Sequence, residues 1–322
     1  MSIGKFVAAM EAMFRRPMKA KTEEDMANDF RRDDVLAMMI AMDSQSATGE
    51  GVITNDFIAG LTGKFPDVFL PGWAVVDPWK GKAALQELER AISDLKLTGA
   101  KWMPILQAFY PHEHRFYPFW DLCQSLGAPV LIHGGTTALG QGMEGGGGLK
   151  LDYARPIPCI DSIAADFPRL TIVIAHPAWP WTEEAIAVLV HKKNVFMDIS
   201  GWRPRYIPQA LKTEMNRRLQ DKILYGSDYP GWSSGQCLDE LLIEGIKDND
   251  PRAPPRGQGQ ARAGRAASGE DKIMMSLPLY RYALAWDKLS SRSTHSEGRD
   301  AITALGCRAP CCATARRNSG SG

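Results

Sequence analysis

The chain has 322 residues, 44% hydrophobic and 23% charged, which is enough for a large packed core and excludes wholesale disorder. Its net charge of +1 offers no overall attraction for nucleic acid or an anionic membrane. No apolar run approaches the roughly 18 residues that cross a bilayer.

The opening text MSIGKFVAAMEAMFRRP is helical in character and lacks the basic, apolar, small-residue order of a secretory signal. From about residue 35 to 246, short apolar and β-branched runs alternate with amphipathic stretches of ten to fifteen residues. Strands are predicted at 35–42, 68–76, 100–103, 129–133, 171–176, 194–199 and 222–225. Helices are predicted at 82–97, 116–126, 157–167, 183–191, 208–219 and 238–246. Gly127 stops one helical run, Asp161 precedes an apolar stretch and Asn194 stands ahead of a strand. Near-continuous apolar strands separated by helices predict a parallel sheet covered on both faces.

Seven strands would fit an open doubly wound sheet or a barrel lacking one strand. The polar residues favour the barrel. His133, His176, Ser200 and Asp228 all stand at or just beyond the C-terminal ends of strands, the rim where a (β/α)₈ TIM-type barrel gathers its active site.

Residues 251–322 differ in texture. They carry a charge of +7 against −6 for residues 1–250, and 12 Ala, 10 Arg, 8 Gly, 8 Ser and 5 Pro follow no period. Out-of-frame reading of a GC-rich gene yields such text, so a frameshift near residues 248–252 is expected; a basic interaction tail is the competing reading. The expected organisation is an incomplete barrel over 1–250 and an irregular, low-complexity tail over 251–322. The six cysteines form no CxxC pair upstream of that tail, which fits free thiols in a reduced, cytoplasmic setting.

His133 ends APVLIH ahead of a Gly-rich loop, and His176 ends LTIVIAH ahead of Pro177, Trp179 and Trp181. Asp228 ends KILYGSD. Each histidine alone reads as a metal ligand or as a hydrogen-bonded core residue. Two His and one Asp on separate strand ends have the composition of a catalytic divalent-metal site with a position left for water. Arg155 can grip a substrate carboxylate or form a structural salt bridge. Trp179, Trp202 and their aromatic neighbours line a substrate pocket or cap the barrel, and Lys101 sits on the strand at 100–103, where it can reach the site.

Two motifs are decoys. His112 and His114 lie in FYPHEHRFYP, a polar loop. Gly140-x-Gly142-x-x-Gly145 starts seven residues after its strand, and Gly and Pro follow it where a dinucleotide fingerprint needs a helix.

The segments PVLIHGGTT, GGGGLKLDYARP, DFPRLTIVIAHPAWPW, NVFMDISGW and DKILYGSDYP, in that order, resemble the amidohydrolase superfamily. The likeness is to its amidohydrolase-related branch, which includes aminocarboxymuconate-semialdehyde and resorcylate-type decarboxylases. The resemblance implies a (β/α)₈ barrel holding one divalent metal, Zn or Mn. His133 and Asp228 would be metal ligands, and His176 a general acid/base or further ligand, with Asp228 orienting water. It also implies an initial strand ending in His-x-His, which this text lacks, so a barrel without its first strand is expected to hold metal weakly. A late start codon or truncated gene model is the simplest account.

The expected activity is that of a metal-dependent hydrolase or non-oxidative carboxy-lyase on a small carboxylate or cyclic substrate. The alternative is an inactive degenerate barrel or frameshifted product. Expected partners are a small-molecule substrate and further copies of the chain, with neither nucleic acid nor membrane.

Overall fold

The computed structural model describes residues 3–15, 17, 21–49 and 51–246. The proposed tail at 251–322 lies outside the described residues. All seven predicted strands form: β1 (Ala37–Ile40), β2 (Phe69–Ala74), β3 (Gly99–Trp102), β4 (Val130–His133), β5 (Ile172–Ala175), β6 (Val195–Asp198) and β7 (Ile223–Leu224). They build one parallel sheet in the order β1 to β7. Among the described residues the sheet curls as a TIM barrel does but stays open between β1 and β7, one strand short of a closed barrel.

The helices are α1 (Ile3–Phe14), α2 (Glu23–Arg32), α3 (Gln45–Thr48), α4 (Asn55–Lys64), α5 (Lys82–Ser93), α6 (Pro104–Gln107), α7 (Tyr117–Leu126), α8 (Pro156–Asp166), α9 (Thr182–His191), α10 (Gln209–Met215) and α11 (Ser234–Ile243), of which α4, α5, α8 and α9 pack directly against strands. Their starts and stops are local chemistry. Thr22 and Asp25 close a capping box on α2, Thr54 accepts from the Phe57 amide at 3.1 Å to begin α4, and left-handed Gly127 ends α7. Most strands are shorter than the sequence predicts. The strand predicted at 222–225 keeps only Ile223 and Leu224, with β6 its one partner among the described residues.

Strand alternation sorts side chains into two layers. Ala100, Trp102, Val130, Ile132, Ile172, Ile174, Val195 and Met197 belong to the larger core, shared with the helices. Trp73, Leu131, Val173, Ala175 and Phe196 form a second cluster that fills the inside of the curl, joined by Met38 and Leu224. Register fixes the inner residues at equal heights, since Lys101 pairs with Leu131, Leu131 with Val173 and Val173 with Phe196. By the same alternation His133 and Asp198 are the next inward positions, at the C-terminal ends of β4 and β6.

The opening between β1 and β7 is spanned by α2 and the turn behind it. Phe30 packs on Phe69 of β2 at 5.8 Å and on Tyr229 at 4.7 Å between ring centroids. Asp29 accepts from the Tyr229 hydroxyl at 2.8 Å. Asp33 accepts from Ser233 Oγ at 2.8 Å and from the Gly235 amide at 3.1 Å. Residues some 200 apart in sequence thus form a polar seam across the gap.

Candidate active site

His133 is 5% exposed at the end of β4. Its Nε2 lies 3.1 Å from the Thr136 carbonyl, and a carbonyl only accepts, so Nε2 carries the proton. Nδ1 is therefore a bare lone pair, and it is buried with no hydrogen-bond partner. Burial, then repulsion from His176 and Lys101, hold this imidazole well below the usual histidine range, so it is neutral at physiological pH. An orphaned, neutral imidazole nitrogen is the form a metal ligand takes.

His176 follows β5, its ring centroid 4.7 Å from that of His133. Its backbone is left-handed, φ 71°, and so is that of Asp228, φ 58°. Such conformations are costly for residues with a Cβ and collect at functional sites. His176 Nδ1 donates to the Ser200 carbonyl at 2.9 Å and lies 3.0 Å from Ser200 Oγ, which leaves Nε2 as the nitrogen able to accept a proton.

The group that organises this corner is Asp198, which sequence reasoning overlooked. It is 7% exposed and accepts from the His176 amide at 3.2 Å, the Ser200 amide at 2.8 Å and Ser200 Oγ at 2.5 Å. Its signal was present in the text, as an acid ending an apolar strand two residues before a serine that can return the bond.

Two glycines allow the loops to close on each other. At Gly201, φ 76°, a Cβ would lie 2.7 Å from His176 Nδ1 and 3.3 Å from Asp228 Oδ2, so this position keeps the histidine and the aspartate close. At Gly135, φ 84°, a Cβ would meet the Ala178 and Trp179 backbone at 2.5 and 2.6 Å, where the Thr136 amide donates to the Trp179 carbonyl at 2.7 Å. The loops after β4 and β5 are zipped together there.

Asp228 itself is exposed, and among the described residues no strand stands beyond β7 to cover it. Lys101 is 4% exposed on β3, and burial lowers its ammonium below the usual lysine range against the pull of Asp198 and Asp228. Trp179, 49% exposed, lies 6.1 Å from half-buried Trp202 between ring centroids. Arg155 donates three hydrogen bonds of 2.6–3.0 Å to the Glu184 carboxylate at the surface.

The two remaining motifs lie in loops, and His112 Nδ1 is buried without a hydrogen-bond partner. His114 is exposed and stacks on Tyr117 at 4.6 Å, while Gly145, Gly146 and Gly147 form a left-handed 3₁₀ turn with no α-helix opening on it. The described cysteines Cys123, Cys159 and Cys237 are free and buried.

The donor types suit a divalent ion, since two imidazoles and a carboxylate stand at neighbouring strand ends and one nitrogen is unsatisfied. Among the described residues, however, no three His, Cys, Asp or Glu side chains converge as a ready ligand group. The set fits in kind and is short in number.

The same family emerges from comparison. The amidohydrolase family model matches residues 16–253, and the chain belongs to that family. No curated protein matches the sequence. Among solved structures, an uncharacterized TIM-barrel protein from Bordetella bronchiseptica is 20% identical, with 84% of this chain covering 83% of that one at a TM-score of 0.64. The 5-carboxyvanillate decarboxylase of Sphingomonas paucimobilis is 16% identical, with 85% of each chain covered and a TM-score of 0.53. A dihydroxybenzoic acid decarboxylase from Polaromonas sp. JS666, solved with manganese and 2-nitroresorcinol, is 17% identical over 85% of this chain and 87% of that one, with a TM-score of 0.50. These likenesses define the fold as that of a TIM-barrel amidohydrolase. Among the described residues no helix is long and apolar enough to cross a membrane.

Proposed function

We propose that the protein is a metal-dependent enzyme acting on a small carboxylate or cyclic substrate, with non-oxidative decarboxylation preferred over hydrolysis. The observation that carries this reading is the buried, partnerless Nδ1 of His133 beside His176 at the barrel mouth. His133 and Asp228 would hold the ion, Zn or Mn, which when bound polarises a carbonyl or carboxylate or makes a coordinated water acidic. The manganese and the aromatic ligand of the Polaromonas decarboxylase support the metal and the preference for decarboxylation.

The remaining roles belong to the chain itself. His176, its Nδ1 proton fixed on Ser200, moves a proton through Nε2. Asp198 holds the His176 backbone and Ser200 in place from below. Trp179 and Trp202 give an aromatic wall on the β5–β6 side. Arg155 is engaged by Glu184 and would have to leave it to grip substrate. The organisation belonging to this reading is a barrel over 1–250 followed by a separate tail over 251–322.

An inactive barrel is the second reading, favoured by the open sheet and the exposure of Asp228. Three rigid ligands can hold zinc, but a ligand on an edge strand lacks that rigidity. The ion is therefore held weakly, and adding a first strand that ends in His-x-His raises the metal content towards one per chain. Metal analysis of the 322-residue protein after dialysis against Zn²⁺ or Mn²⁺ tests this, with His133→Ala as control. Bound metal that is lost in His133→Ala, together with release of CO₂ from aromatic carboxylates, supports the enzyme. No metal in either protein favours the inactive barrel.

A further inference from the structure

A buried ammonium needs a partner, because desolvation penalises the charged form heavily. Lys101 is 4% exposed, yet among the described residues no hydrogen bond or ion pair reaches its Nζ. Its neighbours are committed elsewhere. Asp198 and Asp228 both act on it electrostatically, but neither comes within ion-pair distance. Asp198 turns Oδ1 to the His176 amide and to the Ser200 amide and hydroxyl, and Asp228 stands exposed at the rim.

Position adds to this. Lys101 pairs in register with Leu131, so it lies on the inner face one layer below His133, and it is close enough to oppose a charge on that imidazole. Arg155, the other cation considered for an acid group, is held by Glu184 at the surface. Among the described residues, a small anion entering the barrel mouth thus finds one buried, uncommitted cation on the strands.

We propose that Lys101 is the anion receptor of the barrel mouth, taking the carboxylate of a small planar acid. This rests on reading the mouth as the substrate site. A carboxylate at Lys101 supplies the partner that the fold withholds, and the rest of a planar acid then extends towards the rim and the Trp179–Trp202 pair. No hydrogen bond or ion pair among the described residues depends on the ammonium.

The test is binding of benzoate against benzamide, its neutral isostere, to the full chain treated with chelator, by calorimetry. Wild type binds benzoate at least about tenfold more tightly. In Lys101→Met the ratio falls to near one with benzamide affinity unchanged, and the melting temperature stays level or rises by about 2–4 °C, because an unpaired buried charge is replaced by an apolar chain of similar length. Lys101→Arg keeps a preference for benzoate. Equal binding of the two ligands by wild type, or a preference that survives in Lys101→Met, overturns the proposal. Failure of both Lys101→Met and Lys101→Gln to fold overturns it as well, since the lysine would then be a structural partner of Asp198 and Asp228. Metal content is measured separately, so loss of the metal reading leaves the benzoate ratio interpretable.

Discussion

Replacing Asp33 with alanine tests whether the seam across the open side of the barrel is structural. Helix α11 opens at Ser233, whose hydroxyl caps nothing of its own; it donates instead to Asp33, which also accepts from the Gly235 amide. Asp33, the residue that ends α2, therefore caps a helix 200 positions away. Its side chain is 13% exposed, so water replaces it poorly. Losing a capping acceptor costs about 1 kcal/mol, and losing a carboxylate from the positive end of a helix adds roughly 0.3–1 kcal/mol. The Ser233 hydroxyl finds water in part and adds a similar fraction. Asp33→Ala should therefore lose about 2 kcal/mol in urea unfolding, or roughly 4–8 °C in melting temperature. Asp33→Asn, which keeps an acceptor without the charge, should lose about half as much. Hydrogen exchange should speed up at the Gly235 and Cys237 amides while Ile174 and Met197 in the sheet stay protected. A loss under about 0.5 kcal/mol, or faster exchange spread evenly over the sheet, would refute the seam.

Two further expectations follow from groups beside it. Asp29 is held down to about 2 from 3.8, first by Lys21 and then by the Tyr229 hydroxyl and Arg32. A depressed carboxyl stabilises above its unfolded pKa and loses that contribution as pH falls through the folded one, so stability should drop between about pH 4 and pH 2, by of order 1 kcal/mol after solvent screening. Asp29→Asn should flatten that window in acid unfolding curves, and an unchanged slope would count against the pairing. Gly201→Ala puts a Cβ 2.7 Å from His176 Nδ1 at a left-handed residue, so it should cost about 1–2 kcal/mol in chemical unfolding and displace the His176 imidazole resonances by NMR. Wild-type resonances in that variant would mean that the close approach does not hold the histidine.

The inner half of this structure could be read from the text because its signals are local and repeated. VLIH, IVIA and VFMD alternate with amphipathic helices, and period two alone places Leu131, His133, Val173, Phe196 and Asp198 on one face. His133 and His176 were readable as strand-end residues, and their rings do meet. Asp198 is readable as an acid ending an apolar strand two residues before a serine, but two of its partners are backbone amides, and periodicity does not reveal which amide a carboxylate will reach. The seam between α2 and α11 was unreadable for a related reason. Asp29 and Asp33 look like solvated charges on an acidic helix, and their partners come from the far end of the barrel. Arg155 shows the same limit from the other side, since the glutamate that engages it stands on another helix and periodicity does not pair the two.

The two halves of the mouth differ in what holds them, and that difference bears on the chemistry. Lys101, His133, Asp198 and Ser200 are all less than a tenth exposed and stand on strands paired on both sides, or directly after one. Their positions are set by sheet register, which a single loop cannot shift. Asp228 follows a strand of two residues with one neighbour, and the chain beyond it is anchored through Tyr229 to Asp29 and through Ser233 and Gly235 to Asp33. On the proposed reading one metal ligand is thus fixed by the sheet and the other by the α2 seam. A site needs its groups held within about half an ångström to act as a unit. Side chains that touch neither metal nor substrate, Asp29 and Asp33 above all, then govern how often Asp228 stands where His133 can share an ion with it. On that reading weak metal binding follows from the open barrel edge, and loosening the seam through Asp33 should weaken metal binding even though every ligand remains.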